Sequence, residues 1–284
     1  MKYSVIIPTL NAEKEIPALI KALQTQSNPP AEIIIIDSQS EDSTVSIAEK
    51  HTNVRVIQIR RDQFDHGGTR NLAIQACENP LFVMMTQDAL PADSTCMQRL
   101  LKALEPEKVA AVTARQIPRA DAWEYEKKIR AFRYPEKSRQ WSPKDIPELG
   151  IRSFLLSDVC AAYKREAYQA VGGFENPIKT NEDMLIAADF LHAGYELAYC
   201  AEARVIHSHN HTFRQEYSRN KKIGWFLKTY SSRFGEQTEV KEGMNLVRQV
   251  QKSLLAEKKY SDLLRFYRNC AAKVLGSRVG RLTG

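Results

Sequence analysis

Apolar runs too short for helices alternate with amphipathic stretches through the first ninety residues. Ser4 to Pro8, Ile33 to Ile36, Val54 to Ile59 and Leu81 to Met85 are rich in branched side chains, as strands buried on both faces must be. Between the first two, Ile16, Leu19, Ile20 and Leu23 recur at offsets of three and four, which predicts an amphipathic helix after the turn Thr9 to Ala12. A second helix is predicted to start near Ser40, whose hydroxyl can cap it, and to bury Val45, Ile47 and Ala48. Strands alternating with helices imply an α/β fold with a doubly wound, mostly parallel sheet.

Beyond Asp88 the pattern loosens. A helix is expected around Ser94 to Leu104 and a strand around Val109 to Thr113. The polar stretch from Arg115 to Gly150, with Trp123, Tyr125, Phe132, Tyr134 and Trp141 among many charges, reads either as a substrate-covering loop or as a peripheral helix pair. From about Phe213 strand signals cease and helices with basic faces follow. We therefore divide the chain into an α/β domain, residues 1–215, and a basic helical C-terminal extension, residues 216–284.

The formal charge of +7 alone fits nucleic acid, an anionic membrane surface or a phosphorylated substrate. Its location narrows the choice: from Lys241 onward ten basic residues face three acids, an excess equal to that of the whole chain. The five cysteines are scattered and never form CxxC, which argues against a disulfide framework or a zinc cluster and for a reducing, cytoplasmic compartment. No secretory leader is expected, and no apolar run approaches the roughly 20 residues that span a bilayer.

Candidate chemistry collects where the predicted strands end: Thr9 and Asn11, then Asp37 and Ser38, then Asp65 to Arg70, then Gln87 and Asp88. In an open parallel sheet the ligand crevice lies outside the carboxyl ends of the strands, so these residues converge there. Asp37 suits a base or ribose, or alternatively a helix cap. The absence of G-x-G-x-x-G after the first strand counts against a dinucleotide enzyme, and the absence of G-x-x-x-x-G-K-[ST] against a P-loop. Asp88, at the end of an apolar strand, suits a hard divalent cation bridging to a diphosphate.

Glu182 and Asp183 open a predicted helix, where paired acids also satisfy the helix dipole. His207, His209 and His211 alternate, so an extended backbone projects all three to one side. Imidazole is a capable metal ligand, and His207 followed by His209 are the candidates, with His211 read as solvated. The amides of His66, Gly67 and Gly68 at a helix start suit either an anion site or a flexible turn.

The ordered series Val5-Ile6-Ile7-Pro8-Thr9-Leu10-Asn11, Ile36-Asp37-Ser38, Gly67-Gly68-Thr69-Arg70-Asn71, Thr86-Gln87-Asp88 and Asn181-Glu182-Asp183 resembles family 2 glycosyltransferases of the GT-A fold over roughly residues 1–215. Phe64 to Asn71 and the Gln87-Asp88 pair look most like bacterial rhamnosyltransferases. The resemblance implies an inverting transfer of a sugar, with dTDP-L-rhamnose or a UDP-sugar as donor and a surface polysaccharide or lipid-linked glycan as acceptor. It implies a nucleotide-sugar site of Pro8, Thr9, Asn11, Asp37, Ser38, Arg70, Gln87 and Asp88. It further implies a divalent metal, Mg²⁺ or Mn²⁺, on Asp88 with His207 or His209, and Asp183 as general base beside Glu182 in the acceptor pocket. The family's Asp-x-Asp is incomplete, since Thr86 stands where the first carboxylate belongs.

Lys221, Lys222, Trp225, Phe226, Lys228, Tyr230 and Arg233 mix cations with aromatics, which suits either peripheral contact with the inner face of the cytoplasmic membrane or a helix covering the catalytic domain. A nucleic-acid-binding module leaves the acidic strand ends without a purpose, so no nucleic-acid partner is expected. A nucleotidyltransferase shares the sheet and the carboxylates and is separated from a glycosyltransferase by the group it transfers.

Overall fold

The computed structural model describes residues 1–235 and 240–283; the side chains of Lys241 and Glu242, counted in the basic tail, lie outside the described residues. The first half alternates β1 (Tyr3–Thr9), α1 (Ile16–Gln24), β2 (Glu32–Asp37), α2 (Thr44–Ala48), β3 (Val54–Gln58), α3 (His66–Gln75) and β4 (Leu81–Met85). Then come β5 (Leu90–Pro91), α4 (Cys96–Ala103), β6 (Val109–Ile117), α5 (Glu124–Arg133), β7 (Arg139–Trp141), α6 (Ile146–Leu149), β8 (Cys160–Lys164), α7 (Arg165–Ala170), α8 (Glu182–His192) and β9 (Glu196–Ile206). Helices α9 (Phe213–Thr229), α10 (Ser231–Phe234), α11 (Val240–Ala256) and α12 (Tyr260–Leu282) complete the chain.

One sheet of order β3-β2-β1-β4-β8-β6-β9-β5, with β7 also on β9, organises the molecule. β1 to β4 pair in parallel, β8 lies antiparallel to both β4 and β6, and β9 is parallel to β6. Six strands therefore run one way, and β5, β7 and β8 run the other. The sheet is mostly parallel, as expected, with three strands running against its main direction. The carboxyl ends of β1, β2, β4, β6 and β9 and the amino end of β8 share one edge.

Alternation within the strands feeds two cores. Ile33, Ile35, Val5 and Ile7 pack with α1, α2 and α4 on one face. Ile34, Ile36, Ile6, Phe82 and Tyr163 pack with α3, α7 and α8 on the other. Phe226 of α9 and Phe234 of α10 belong to this second core, so the boundary drawn at 215/216 falls inside a helix anchored to the catalytic part. A smaller cluster of Tyr125, Ile129, Val250, Leu254 and Phe266 joins α5, α11 and α12.

Two local expectations change. The second helix starts at Thr44 rather than near Ser40, because the Ser40 hydroxyl is spent on Asp37, and Val45 and Ile47 are only half-buried. The stretch from Arg115 to Gly150 finishes β6, forms α5, returns as the edge strand β7 and ends in α6, so the two helices of the expected pair are parted by a strand of the sheet.

Candidate active site

The shared sheet edge assembles two polar centres. At the first, the register that sets Thr9 opposite Asp37 lets Thr9 Oγ1 donate to Asp37 Oδ2 at 2.9 Å. Asp37 is fully buried and also accepts from the Ser40 amide (2.8 Å) and hydroxyl (2.5 Å). Ser40 Oγ in turn accepts from the Asn11 amide at 2.8 Å, and Asn11 Oδ1 from the Glu41 amide. Asp37, as placed here, shapes the rim of the crevice. Ser38 Oγ is buried without a partner among the described residues, a hydroxyl left for a ligand. Pro8, the half-buried residue before Thr9, lies opposite Ile36.

Between β1 and β4 the sheet changes its direction of winding, which is where such folds bind ligands. Gln87 closes this switch point: its Oε1 accepts from the Leu10 amide at 2.9 Å, and its Nε2 donates to the Leu10 carbonyl at 3.3 Å. Asp88 follows directly. The end of β9 delivers His207 and His209, so that Asp88 Oδ2 stands 3.4 Å from His207 Nε2 and 3.3 Å from His209 Nε2. The three ligand atoms lie within 4.8 Å of one another. Bonds of about 2.1 Å to a shared cation put neighbouring ligand atoms roughly 3 Å apart, so the set fits a divalent ion.

Electrostatics agree with that geometry. Burial alone raises the Asp88 carboxyl, but the hydrogen bond and charge of His207, with Thr86 and His209, outweigh it and hold the group well below the ordinary range. Burial, with His207 beside it, pushes His209 down to about 4, so its ring is neutral and free to ligate at physiological pH. His211 stacks on His209 with ring centres 4.8 Å apart and does not join the ligand set.

The second centre lies at the start of α8. Asp183 Oδ1 accepts from the Met184 amide at 2.9 Å, and Oδ2 accepts a longer 3.4 Å bond from the Asp158 amide. Beside it Arg70 bridges two buried acids, with Nη2 3.1 Å from Glu182 Oε1 and Nε 3.2 Å from Asp158 Oδ2. Tyr163 donates its hydroxyl to Asp158, and His66 Nδ1 stands 3.7 Å from Glu182. Burial first, then the charges of Glu182 and Asp158, raise the Asp183 carboxyl well above its ordinary value. A carboxylate so raised is a stronger base.

The glycines at 67 and 68 serve packing. The Gly68 amide donates to Asp65 Oδ1 at 2.7 Å, so the helix start is capped internally rather than open to an anion. A Cβ on Gly67 would fall 1.8 Å from the Glu175 carbonyl oxygen. Asp65 also accepts from the Ile178 amide, and Asn71 holds both the amide and the carbonyl of Phe174. The whole segment from Asp65 to Asn71 thus clamps the turn that leads to α8.

Sequence reading missed two residues. Asp158 precedes β8, and only the reversal of that strand brings it to the shared edge. Gln116 sits in β6, where its Nε2 donates to Ser157 Oγ at 2.9 Å, leaving Oε1 to accept from Arg130 and from His207 Nδ1, the latter at 3.0 Å. A buried glutamine in an apolar strand was the available signal.

Residues 4–172 match Glycosyl transferase family 2. The chain is 40% identical over 227 residues to the O-antigen chain rhamnosyltransferase RfbN of Salmonella typhimurium, covering 80% of this chain and 72% of that protein. It is 41% identical over 226 residues to the O-antigen chain rhamnosyltransferase WbaN of Salmonella anatum, covering 79% and 71%. Among solved structures it resembles the mannosyltransferase PcManGT of Pyrobaculum calidifontis, solved with GDP-Man and Mn²⁺. That match has a TM-score of 0.69 at 17% identity and covers 99% of this chain and 87% of that one, a likeness of GT-A fold.

Proposed function

The chain belongs to glycosyl transferase family 2, and on that premise we propose that it is an inverting rhamnosyltransferase that moves L-rhamnose from dTDP-L-rhamnose to a bacterial surface-polysaccharide or lipid-linked glycan acceptor. That it is a glycosyltransferase follows from the family. The finer assignment is supported by its identity to two rhamnosyltransferases along four-fifths of the chain. The observation that carries the chemistry is the convergence, on one sheet edge, of Asp88 with two imidazoles and of Asp183 within a separate buried acid cluster.

A divalent cation on Asp88, His207 and His209 would supply positive charge to the diphosphate leaving group. With two of three ligands imidazole nitrogens, the set suits Mn²⁺ better than the oxygen-seeking Mg²⁺. Thr86, in place of a first carboxylate, leaves His209 to fill the third position. Thr9, Asn11, Asp37, Ser38 and Gln87 form the rim against which the nucleotide would lie.

Asp183 takes the proton of the acceptor hydroxyl as that oxygen attacks the anomeric carbon. The bond from the sugar to the diphosphate breaks in the same displacement, and the configuration inverts. Arg70, one cation between Glu182 and Asp158, offsets part of their charge and so pulls the Asp183 carboxyl part of the way back toward ionisation. We place the reaction at the cytoplasmic side of the membrane, which the five free cysteines suit.

Calorimetric titration with dTDP-L-rhamnose, UDP-glucose, UDP-galactose and UDP-N-acetylglucosamine, each with and without Mn²⁺, tests the assignment. Selective, metal-dependent binding of the rhamnose donor is expected. Preference for a UDP-sugar would keep the mechanism and overturn the donor.

A further inference from the structure

The aromatics of the cluster at α9 are turned inward while Lys221, Lys222 and Lys228 stay exposed: Phe226 is wholly buried, Tyr230 packs on it, and Lys179 covers the Trp225 ring at 4.6 Å. The exposed apolar surface lies instead on α12. Tyr260, Tyr267 and Val274 recur every seven residues along that helix. Leu264, Leu275 and Leu282 form a second row beside them, each row within about 40° of one line. All six are exposed, Tyr260 and Leu264 to 64% each. Large side chains so exposed along six turns of one helix mark an interaction surface.

The helix cannot turn this stripe inward. Its opposite face is seated on α9 at backbone contact: a Cβ on Gly276 would lie 2.4 Å from the Tyr217 carbonyl oxygen, and one on Gly280 would lie 2.0 Å from that of Lys221. Gly224 meets Ser277 in the same way from the α9 side, at 2.2 Å. Phe266, on the inward face, is locked against Tyr125. Rotation of α12 would drive these backbones into one another.

We propose that the exposed face of α12 is a docking surface for an anionic lipid bilayer. The charge pattern selects this occupant. Arg268 and Arg278 are exposed beside the apolar stripe, whereas Asp262, the single acid of α12, is buried on the inner face and Arg265 turns back toward it and over the Trp123 ring. A second copy would bring the same arginines against one another; anionic headgroups would pair with them. Tyrosine rings and arginine stems are suited to the boundary between headgroups and acyl chains. No helix among the described residues is long and apolar enough to cross a membrane, so α12 would lie on the surface.

The surface is tied to the chemistry. α9, on which α12 is seated, is capped by Thr212 immediately after the segment carrying His207 and His209. Docking would therefore hold the metal loop at a fixed height above the bilayer, an advantage that rests on the lipid-linked acceptor proposed above; lipid binding itself does not depend on that reading.

Co-sedimentation with vesicles tests the proposal without donor or acceptor, so its failure leaves the transferase assignment untouched. The whole chain should bind phosphatidylcholine vesicles containing about one-quarter phosphatidylglycerol, bind pure phosphatidylcholine at least roughly tenfold more weakly, and be released by salt. The triple variant Leu264→Gln, Tyr267→Gln, Leu275→Gln should lose roughly tenfold or more of the anionic-vesicle binding. So should the double variant Arg268→Gln, Arg278→Gln. Both should keep the circular dichroism of the parent. Equal binding to neutral and anionic vesicles, or variants that bind as the parent does, would overturn the proposal. Concentration-dependent dimerisation that the triple variant abolishes, with no vesicle binding by the parent, would reassign the face to a second copy.

Discussion

Gln116 Oε1 lies 3.0 Å from His207 Nδ1, and the rest of the glutamine decides which of the two carries the proton. Its Nε2 donates to Ser157 and its Oε1 accepts from Arg130, so the amide orientation is set. The oxygen can only accept from His207. Nδ1 is therefore protonated, so in the neutral ring that a metal takes up the lone pair falls on Nε2, the atom facing Asp88. One buried amide fixes the imidazole tautomer that a metal requires.

Replacing Gln116 by Leu should accordingly weaken Mn²⁺ binding by about 10- to 100-fold, the usual effect of losing such a partner. Gln116→Glu, which still accepts from Nδ1, should retain most of the affinity. Calorimetry with Mn²⁺ alone reads this directly. Equal losses in both variants would reduce Gln116 to a packing role.

Asp88 is the only carboxylate in the ligand set and cannot be replaced by the imidazoles. Asp88→Ala should abolish the metal-dependent part of donor binding, and a chelator should do the same to the parent protein. The two effects should not add. Donor affinity that is the same with and without metal in the parent would remove the role given to this site.

Asp183→Asn should preserve folding and donor affinity while lowering turnover by about 10²-fold or more, as loss of a general base does. Because burial and neighbouring charges raise the Asp183 carboxyl, it binds its proton to a higher pH than an ordinary carboxylate. Turnover should thus rise with pH through that raised value and then level off. Glu182→Gln removes one of the raising charges and should move this acid limb to lower pH. A limb that stays in place would separate Asp183 from the rate-limiting proton transfer.

How legible each part was depended on whether its signal was local. Buried parallel strands are continuous apolar runs, so β1, β2 and β4 and the polar residues at their ends could be read directly, as could the amphipathic α1, whereas β3 at the sheet's edge is only half-buried. Gln116 and Asp158 acquire meaning only when β6, β8 and β9 pair across long sequence separations, which no periodicity records. The start of α2 was displaced by a competing use of one hydroxyl, Ser40 bonding back to Asp37 instead of capping forward. On α9, cations and aromatics alternate as in an interfacial helix. Whether Phe226 faces lipid or core is decided by α12 and the sheet beneath, which the pattern does not contain.

Arg70 gives the sharpest contrast between motif and structure. Its position in the motif suggested nucleotide contact, whereas its guanidinium is buried between Glu182 and Asp158, with all three side chains at most 8% exposed. Removing the cation strands two buried negative charges, so Arg70→Met should cost about 3–5 kcal/mol of stability at neutral pH. The sign of the pH dependence follows. Burial already raises the Asp158 carboxyl and Arg70 pulls it back down, so without Arg70 it rises further; the penalty applies above that raised value and is relieved as the proton binds on acidification. The stability gap between variant and parent should therefore narrow from about pH 8 to about pH 5 in urea unfolding, as Asp158 neutralises itself. Arg70→Lys, which keeps the charge without the fork, should fall between the two. A variant that unfolds like the parent but loses donor affinity would return Arg70 to the nucleotide.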